Sequence, residues 1–498
     1  MIRYKSQNQL SFEGFETTFE NQLDPSNRWV KLAELIPWDN LASSYYKLMN
    51  SSMGAPSKDA RLIIGALVIK HKMNLADEEV IEQLKENMYM QYFVGYASYQ
   101  YKQAFAPSLF VEIRKRLGKK VFDEFTDKLI AQVEGLKEKM DKKPSKKEEE
   151  EDKETPSPEE PENRGKLLID ASVAPQEIKY PTDLNLLNEC RQKTEELIDK
   201  LWLIQGKQGV KPRTYRRKAR QAYLSVARKR KKSKRLIRRG IGKQLNYLKR
   251  NIGHIESLLD QVGFTFVGFA EQRQYWIIQE IYRQQRQMYE EKSKTCSNRI
   301  VSIHQPHIRP IVRGKDGTAV EFGAQIGVSL VEGMASVDHL SWEAYHEGKD
   351  LIPQVEKYFK RYGFYPECVL ADKKYGTQEN RRWLKQKGIR FGGVPLGRPP
   401  KEVGQVKKRR KQQRQDELER IPIEGKFGQA RRAYQMGCIR AKTKTTSESW
   451  IYALFLVMNI TRMAKELAIW ILPVLLFLLD FLLSPTKIPQ KRYKLVYR

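Results

Sequence analysis

Cysteine and acid are what this sequence is short of. Its four cysteines, Cys190, Cys296, Cys368 and Cys438, lie far apart and none forms a Cys-x-x-Cys pair. That spacing argues against a disulfide framework or a zinc knuckle and fits a reducing compartment. A secretory signal is missing too: Met1-Ile2-Arg3-Tyr4-Lys5 runs into a polar segment, so a cytoplasmic location is expected. Gly240-Ile241-Gly242-Lys243 lacks the glycine spacing and the hydroxyl residue of a phosphate loop. His304 and His307 have no Cys motif around them and are expected to pack or hydrogen-bond rather than ligate metal.

The deficit of acid is the larger signal. Against 91 Lys+Arg stand 60 Asp+Glu, a net charge of +31. Such a field favours polyanions, nucleic acid above all, with an anionic membrane surface as the competing partner. From Lys211 to Arg250 there are 18 Lys or Arg and no acid, with Tyr215, Tyr223 and Tyr247 interleaved. A solvated helix face would account for a shorter run. Forty residues without a compensating carboxylate repel one another unless a polyanion is near, so Arg216, Arg217, Arg230 and Lys231 are candidate DNA-backbone contacts.

A chain of 498 residues, 40% of them hydrophobic, predicts two or three domains with a sizeable core. Residues 1–55 show little periodicity. Helices are predicted from Ala60 to Lys70 behind a cap in Ser57-Lys58-Asp59, from about Asp77 with Val80, Ile81 and Leu84 on one face, and from Pro107-Ser108 with Leu109, Phe110, Ile113 and Leu117. The set has helix-turn-helix size and equally fits a plain bundle. A Lys/Glu-rich, proline-dotted linker, 138–163, cannot bury enough apolar surface to fold. The expected organisation is therefore a helical domain at 1–137, this linker, a catalytic domain at 164–466 with a helical insertion over about 184–295, and a tail at 467–498.

After the linker, Leu167-Leu168-Ile169 reads as a buried strand with Asp170 near its end. Taken alone, Asp170 is better explained by a turn than by a ligand role. Helix is expected from about Leu184. Then the period changes: Ile300–His304 is a candidate strand, followed by a turn at Gly314-Lys315-Asp316-Gly317. Ala319–Val331 and Met334–Leu340 form a hairpin about Glu332-Gly333. A helix from Asp350 to Tyr362, a second Asp-ended strand at Glu367–Asp372, a helix from Thr377 to Lys387 and a strand from Gly388 complete a mixed α/β sheet. A basic loop (Lys407-Lys408-Arg409-Arg410-Lys411, Arg414) leads to a helix with Pro422 in its first turn and Glu424 early in it.

Asp170, Asp372 and Glu424 are thus carboxylates set in a basic chain. Two strand-end acids and one from a helix packed on the same edge can bind hard divalent cations through oxygen. Two such ions roughly 3.5–4 Å apart activate a water or 3′-hydroxyl for phosphodiester displacement. Arg420 and Arg431 lie four residues before and seven after Glu424 and can share its helix face, where they would hold phosphates.

The sequence resembles the DDE transposases of bacterial insertion sequences, in the branch with a Tyr-x2-Arg-x3-Glu-x6-Lys signature. The matching stretches are Leu168–Pro175 with Tyr180–Leu187, Lys315 with Glu321-Phe322-Gly323, Ala371–Gly376, and Glu424–Gly428. In the first domain, Ile69-Lys70-His71 with Asp77-Glu78-Glu79 also match. The resemblance covers about 57–463. It implies a ribonuclease-H-like fold and an enzyme of phosphodiester hydrolysis and transesterification. It also implies two Mg2+ per site with Mn2+ as a substitute, and cut-and-paste joining of terminal inverted repeats to target DNA by a homodimer or larger assembly, bound to the nucleoid when on DNA. It carries over Asp170, Asp372 and Glu424 as catalytic metal ligands and Arg420 as the signature arginine, with Lys315, Lys426 and Arg431 among the DNA contacts. Glu417 stands where the signature has Tyr, and Arg431 where it has Lys, a change of geometry at constant charge. The alternative is a catalytically silent DNA-binding derivative.

The tail does not match the family. Leu467–Leu483 is apolar but for Asp480 and contains Pro473, so a packed C-terminal helix is expected rather than a membrane span. Its basic end, Lys487 to Arg498, would suit DNA or a membrane surface.

Overall fold

The computed structural model describes residues 18–49, 57–141, 162–312, 320–397 and 402–483. The expected linker lies largely outside the described residues, as do Lys315 with its turn and the basic end of the tail.

The chain forms two compact units. The first holds α1 (Thr18–Gln22), α2 (Arg28–Leu35), α3 (Trp38–Tyr46), α4 (Ala60–Met73), α5 (Asp77–Glu86) and α6 (Met88–Phe93). The first three helices correct the expectation of an irregular start. Their apolar spacing is carried by single bulky residues, Trp29 and Trp38, whose rings meet Phe93 at 5.1 and 5.3 Å between centroids. Asp59 caps α4, its carboxylate accepting the Arg61 N–H. The Arg61 guanidinium lies over the Trp38 ring and donates to the Phe93 and Tyr92 carbonyls, tying α4 to α6. After α7 (Leu109–Arg116), which groups with the second unit, most of α8 (Lys119–Asp141) belongs to the first.

The second unit is a mixed α/β assembly. Its strands are β1 (Lys166–Pro175), β2 (Arg309–Val312), β3 (Val320–Val331), β4 (Met334–Ser341), β5 (Cys368–Ala371) and β6 (Arg390–Gly392). They order as β2-β3-β1-β5-β6, with β4 also paired to β3. β1 is antiparallel to β3 and parallel to β5. Asp170 is therefore not at a strand end. It sits mid-strand opposite Val328, because Ala171–Pro175 continue the ladder along β3. Past the acid the strand continues without in-out alternation through small residues, Ala171, Ser172 and Ala174, which carry little strand signal.

Leu167 and Ile169 of β1, with Val369 and Ala371 of β5, face a core built by α13 (Leu351–Tyr362) and α14 (Gln378–Gln386). Four helices are inserted between β1 and β2: α9 (Asp183–Ile204), α10 (Arg216–Ala227), α11 (Lys234–Val262) and α12 (Phe269–Glu290). They enclose their own core, including Leu187, Cys190, Leu245, Leu248, Ile278 and Ile281. Ile300 and Ile303, expected in a strand, pack on this core from a loop. Their alternation serves helix contact, not a ladder. His307 packs edge-on against Trp342 at 4.3 Å.

The largest departure is α15 (Val403–Ala433), a single 31-residue helix where a basic loop and a later helix were expected. Lys, Arg, Gln and Glu are all good helix formers. Gln412–Asp416, Gln413–Glu417, Gln415–Glu419 and Arg420–Glu424 pair one turn apart along it. Pro422 lies within this helix rather than in its first turn, and Glu424 falls late. The last helix, α16 (Lys444–Leu483), runs through the apolar segment. Among the described residues no helix is long and apolar enough to cross a membrane.

Two sites report on this packing. A Cβ on Gly323 would stand 2.1 Å from the Ala174 carbonyl oxygen, so Gly323→Ala forces β1 and β3 apart. A loss of about 2 kcal/mol or more is expected, read as a fall in Tm. Burial, aided by Lys444, Arg309 and Arg273, pulls the His307 imidazole down to about 4. Its contribution to stability is present above the unfolded-state value of about 6.5 and is lost as pH falls towards 4. His307→Phe should flatten the pH dependence of Tm in that window.

Candidate active site

The parallel register sets the site. Ile169 pairs with Ala371, so the next residues, Asp170 and Asp372, leave neighbouring strands side by side. Both point away from the core that Ile169 and Ala371 face. α15 covers that opposite side, with Ile423 and Phe427 buried beneath it. A cleft of about 260 Å³ opens there, lined by Asp170, Ser172, Gln325, Glu347, Asp372, Lys374, Arg420 and Glu424 among others. The three acids singled out in the sequence therefore share one cleft. Lys374, from the stretch around the second acid, joins them, as do Glu347 and Gln325, which nothing in their local sequence marks.

Arg420 stands between two of the acids. Its Nη2 donates to Glu424 Oε1 at 2.6 Å, and its Nη1 lies 3.8 Å from Asp170 Oδ2. Asp170 Oδ1 accepts the Ala171 N–H, and Asp372 Oδ1 accepts that of Lys373. Opposite them, Lys374 Nζ lies 3.4 Å from Glu347 Oε2, and Gln325 Nε2 donates to Glu347 Oε1 at 3.3 Å. Burial pushes the Asp170 carboxyl up to about 6. The Ala171 N–H and Arg420 oppose that rise, while the charges of Glu347 and Asp372 add to it.

The other candidate residues are placed as follows. Arg431 donates to Ser172 Oγ and the Val173 carbonyl, and lies 3.6 Å from Glu321, so it braces α15 against β1 and β3 just beyond the acids. Lys426 donates to the Gly333 carbonyl in the β3–β4 turn and does not line the cleft. Glu417 accepts from Gln413 on the exposed flank of α15. In the insertion, Arg216 pairs with both oxygens of Asp199, an acid of α9 that partly offsets the basic run. Arg217, Arg230 and Lys231 are exposed, the last two in the α10–α11 connection.

Residues 369–461 match the family described as "Transposase DDE domain", and residues 17–116 match "Transposase domain (DUF772)". Two separate stretches of the chain thus match transposase families, one of them the DDE domain. The first match takes in Asp372, Arg420 and Glu424; Asp170 lies outside both, so its place beside them rests on strand register. A curated relative, "Uncharacterized protein ORF8 in nfe locus" of Rhizobium meliloti, is 29% identical over 186 residues, which is 36% of this chain and 78% of that protein. No solved structure matches.

DDE transposases use divalent metal ions, and the donor chemistry of the cleft suits one, since its acids offer hard oxygen ligands. Among the described residues no three acid, histidine or cysteine side chains converge closely enough to hold an ion as they stand. Arg420, bonded to Glu424 and close to Asp170, takes the place of positive charge between them. Asp170, Asp372 and Glu424 are the residues that would hold it.

Lys426→Met removes a charged donor from the β3–β4 turn. A loss of about 1–2 kcal/mol is expected, seen as a lower denaturant midpoint.

Proposed function

We propose that this protein is a transposase that binds the terminal inverted repeats of an insertion sequence, cleaves one strand at each end and joins the freed 3′-hydroxyl to target DNA. The observation that carries the reading is the convergence of Asp170, Asp372 and Glu424 on one cleft in a chain of net charge +31. The order β2-β3-β1-β5-β6, with β4 also on β3, β1 antiparallel to β3 and β1, β5 and β6 parallel, supports a ribonuclease-H-like fold for the catalytic domain at 164–466. The helical domain at 1–137 would read end DNA with a helix-turn-helix-like element, and the segment at 138–163 would link the two. Residues 467–498 would form a C-terminal tail whose basic end suits DNA or a membrane surface.

Asp170, Asp372 and Glu424 would hold two Mg2+ ions. When bound, the ions supply an activated water or 3′-hydroxyl and neutralise charge on the leaving oxygen. Asp170, fixed in mid-sheet, cannot shift without breaking β1 pairing, so the reacting phosphate must come to it. Arg420, once released from Glu424, is placed to take a phosphate oxygen in its fork. Arg431 would act chiefly by bracing α15, and Lys426 by anchoring the hairpin. Arg217, Arg230 and Lys231, with Arg216 and Lys315, would follow the DNA backbone away from the cleft. Assembly as a dimer or larger complex on paired ends, in the cytoplasm, belongs to the same reading.

The deciding assay uses purified protein, Mg2+ and DNA carrying the element ends. Asp372→Asn should abolish cleavage and strand transfer while leaving end binding within about twofold. Binding without cleavage in both proteins would instead identify a silent DNA binder. With Asp170 at about 6, a proton competes with metal below that pH, so Mn2+ affinity should be flat above pH 7 and fall on acidification.

A further inference from the structure

We propose that Glu347 is a fourth carboxylate of the metal site, placed across the cleft from Glu424 to give a second ion a protein ligand. The proposal rests on the metal-dependent reading above. Two octahedral ions need more oxygen donors than Asp170, Asp372 and Glu424 provide, and water and DNA cannot position the ions by themselves. Glu424 reaches the cleft from α15 on one side. Glu347 lines the same cleft from the short 3-10 turn that leads into α13.

The cleft is nearly symmetrical in charge. At its centre stand Asp170 and Asp372; on one side Glu424 is held by Arg420, and on the other Glu347 is held by Lys374. Each outer acid is thus kept in place by a cation that an ion could replace. The Lys374 contact, at 3.4 Å, is the longer. Gln325 of β3 fixes the rest of the Glu347 carboxylate and also accepts the Tyr345 N–H, so the turn is registered to the sheet.

Mn2+ titration of the DNA-free protein, followed by calorimetry and by the loss of free-Mn2+ EPR signal, tests this without reference to activity. Glu347→Gln should weaken binding by about tenfold or remove one of two ions, with Glu347→Asp recovering part of the loss. Lys374→Met should bind Mn2+ at least as tightly as the parent, because it removes only the competing cation. If Glu347→Gln titrates like the parent while Asp372→Asn loses binding, Glu347 is no ligand and the three-acid reading stands. If Lys374→Met weakens Mn2+ as much as Glu347→Gln, the glutamate acts through the lysine and the proposal falls. If the parent binds no Mn2+, or Asp372→Asn binds it unchanged, the metal-dependent reading fails with it. Circular dichroism of each variant separates loss of binding from loss of fold.

Discussion

The pairing of β1 with two different neighbours is the constraint on which the site depends. Antiparallel β3 fixes Asp170 opposite Val328, while parallel β5 brings Asp372 alongside it. Neither strand could slip by one residue without turning Ile169 and Ala371 out of the core and the acids into it. Burial of apolar surface on the α13 side therefore enforces the placement of charge on the α15 side. The cost appears in Asp170, whose carboxyl is held well above the ordinary range by loss of solvent.

That cost explains the cations around the acids. An unpaired buried carboxylate is expensive, and the protein meets the need with Arg420 at one edge and Lys374 at the other. The charge of the cleft is thus balanced from within by two long cationic side chains. The same economy governs the insertion, where Asp199 offsets Arg216 and Lys211 while Arg217, Arg230 and Lys231 remain exposed.

Much of this was legible in the residues. Apolar runs ending or interrupted by Asp located β1 and β5, the Glu332-Gly333 turn located the hairpin, and Gly363 marked the end of α13, because each is a local steric or patterning effect. Where several interactions share one segment, local pattern misled. Ile300 and Ile303 alternate like a strand but pack on helices. The 407–414 run reads as a basic loop, yet its side chains favour helix and their repulsion is tolerated in solvent. Trp29 and Trp38 bury whole helices that show no period.

The sequence by itself pointed to a polyanion and singled out Asp170, Asp372 and Glu424, since net charge and isolated carboxylates in a basic chain are properties of composition and order. Only the tertiary structure decided that Asp170 stands within the sheet, that Arg420 of α15 comes to 3.8 Å from it, and that Glu347 lines the same cleft. Those relations join residues far apart in the chain through strand register and helix packing, and no local window of sequence contains the energy that fixes them.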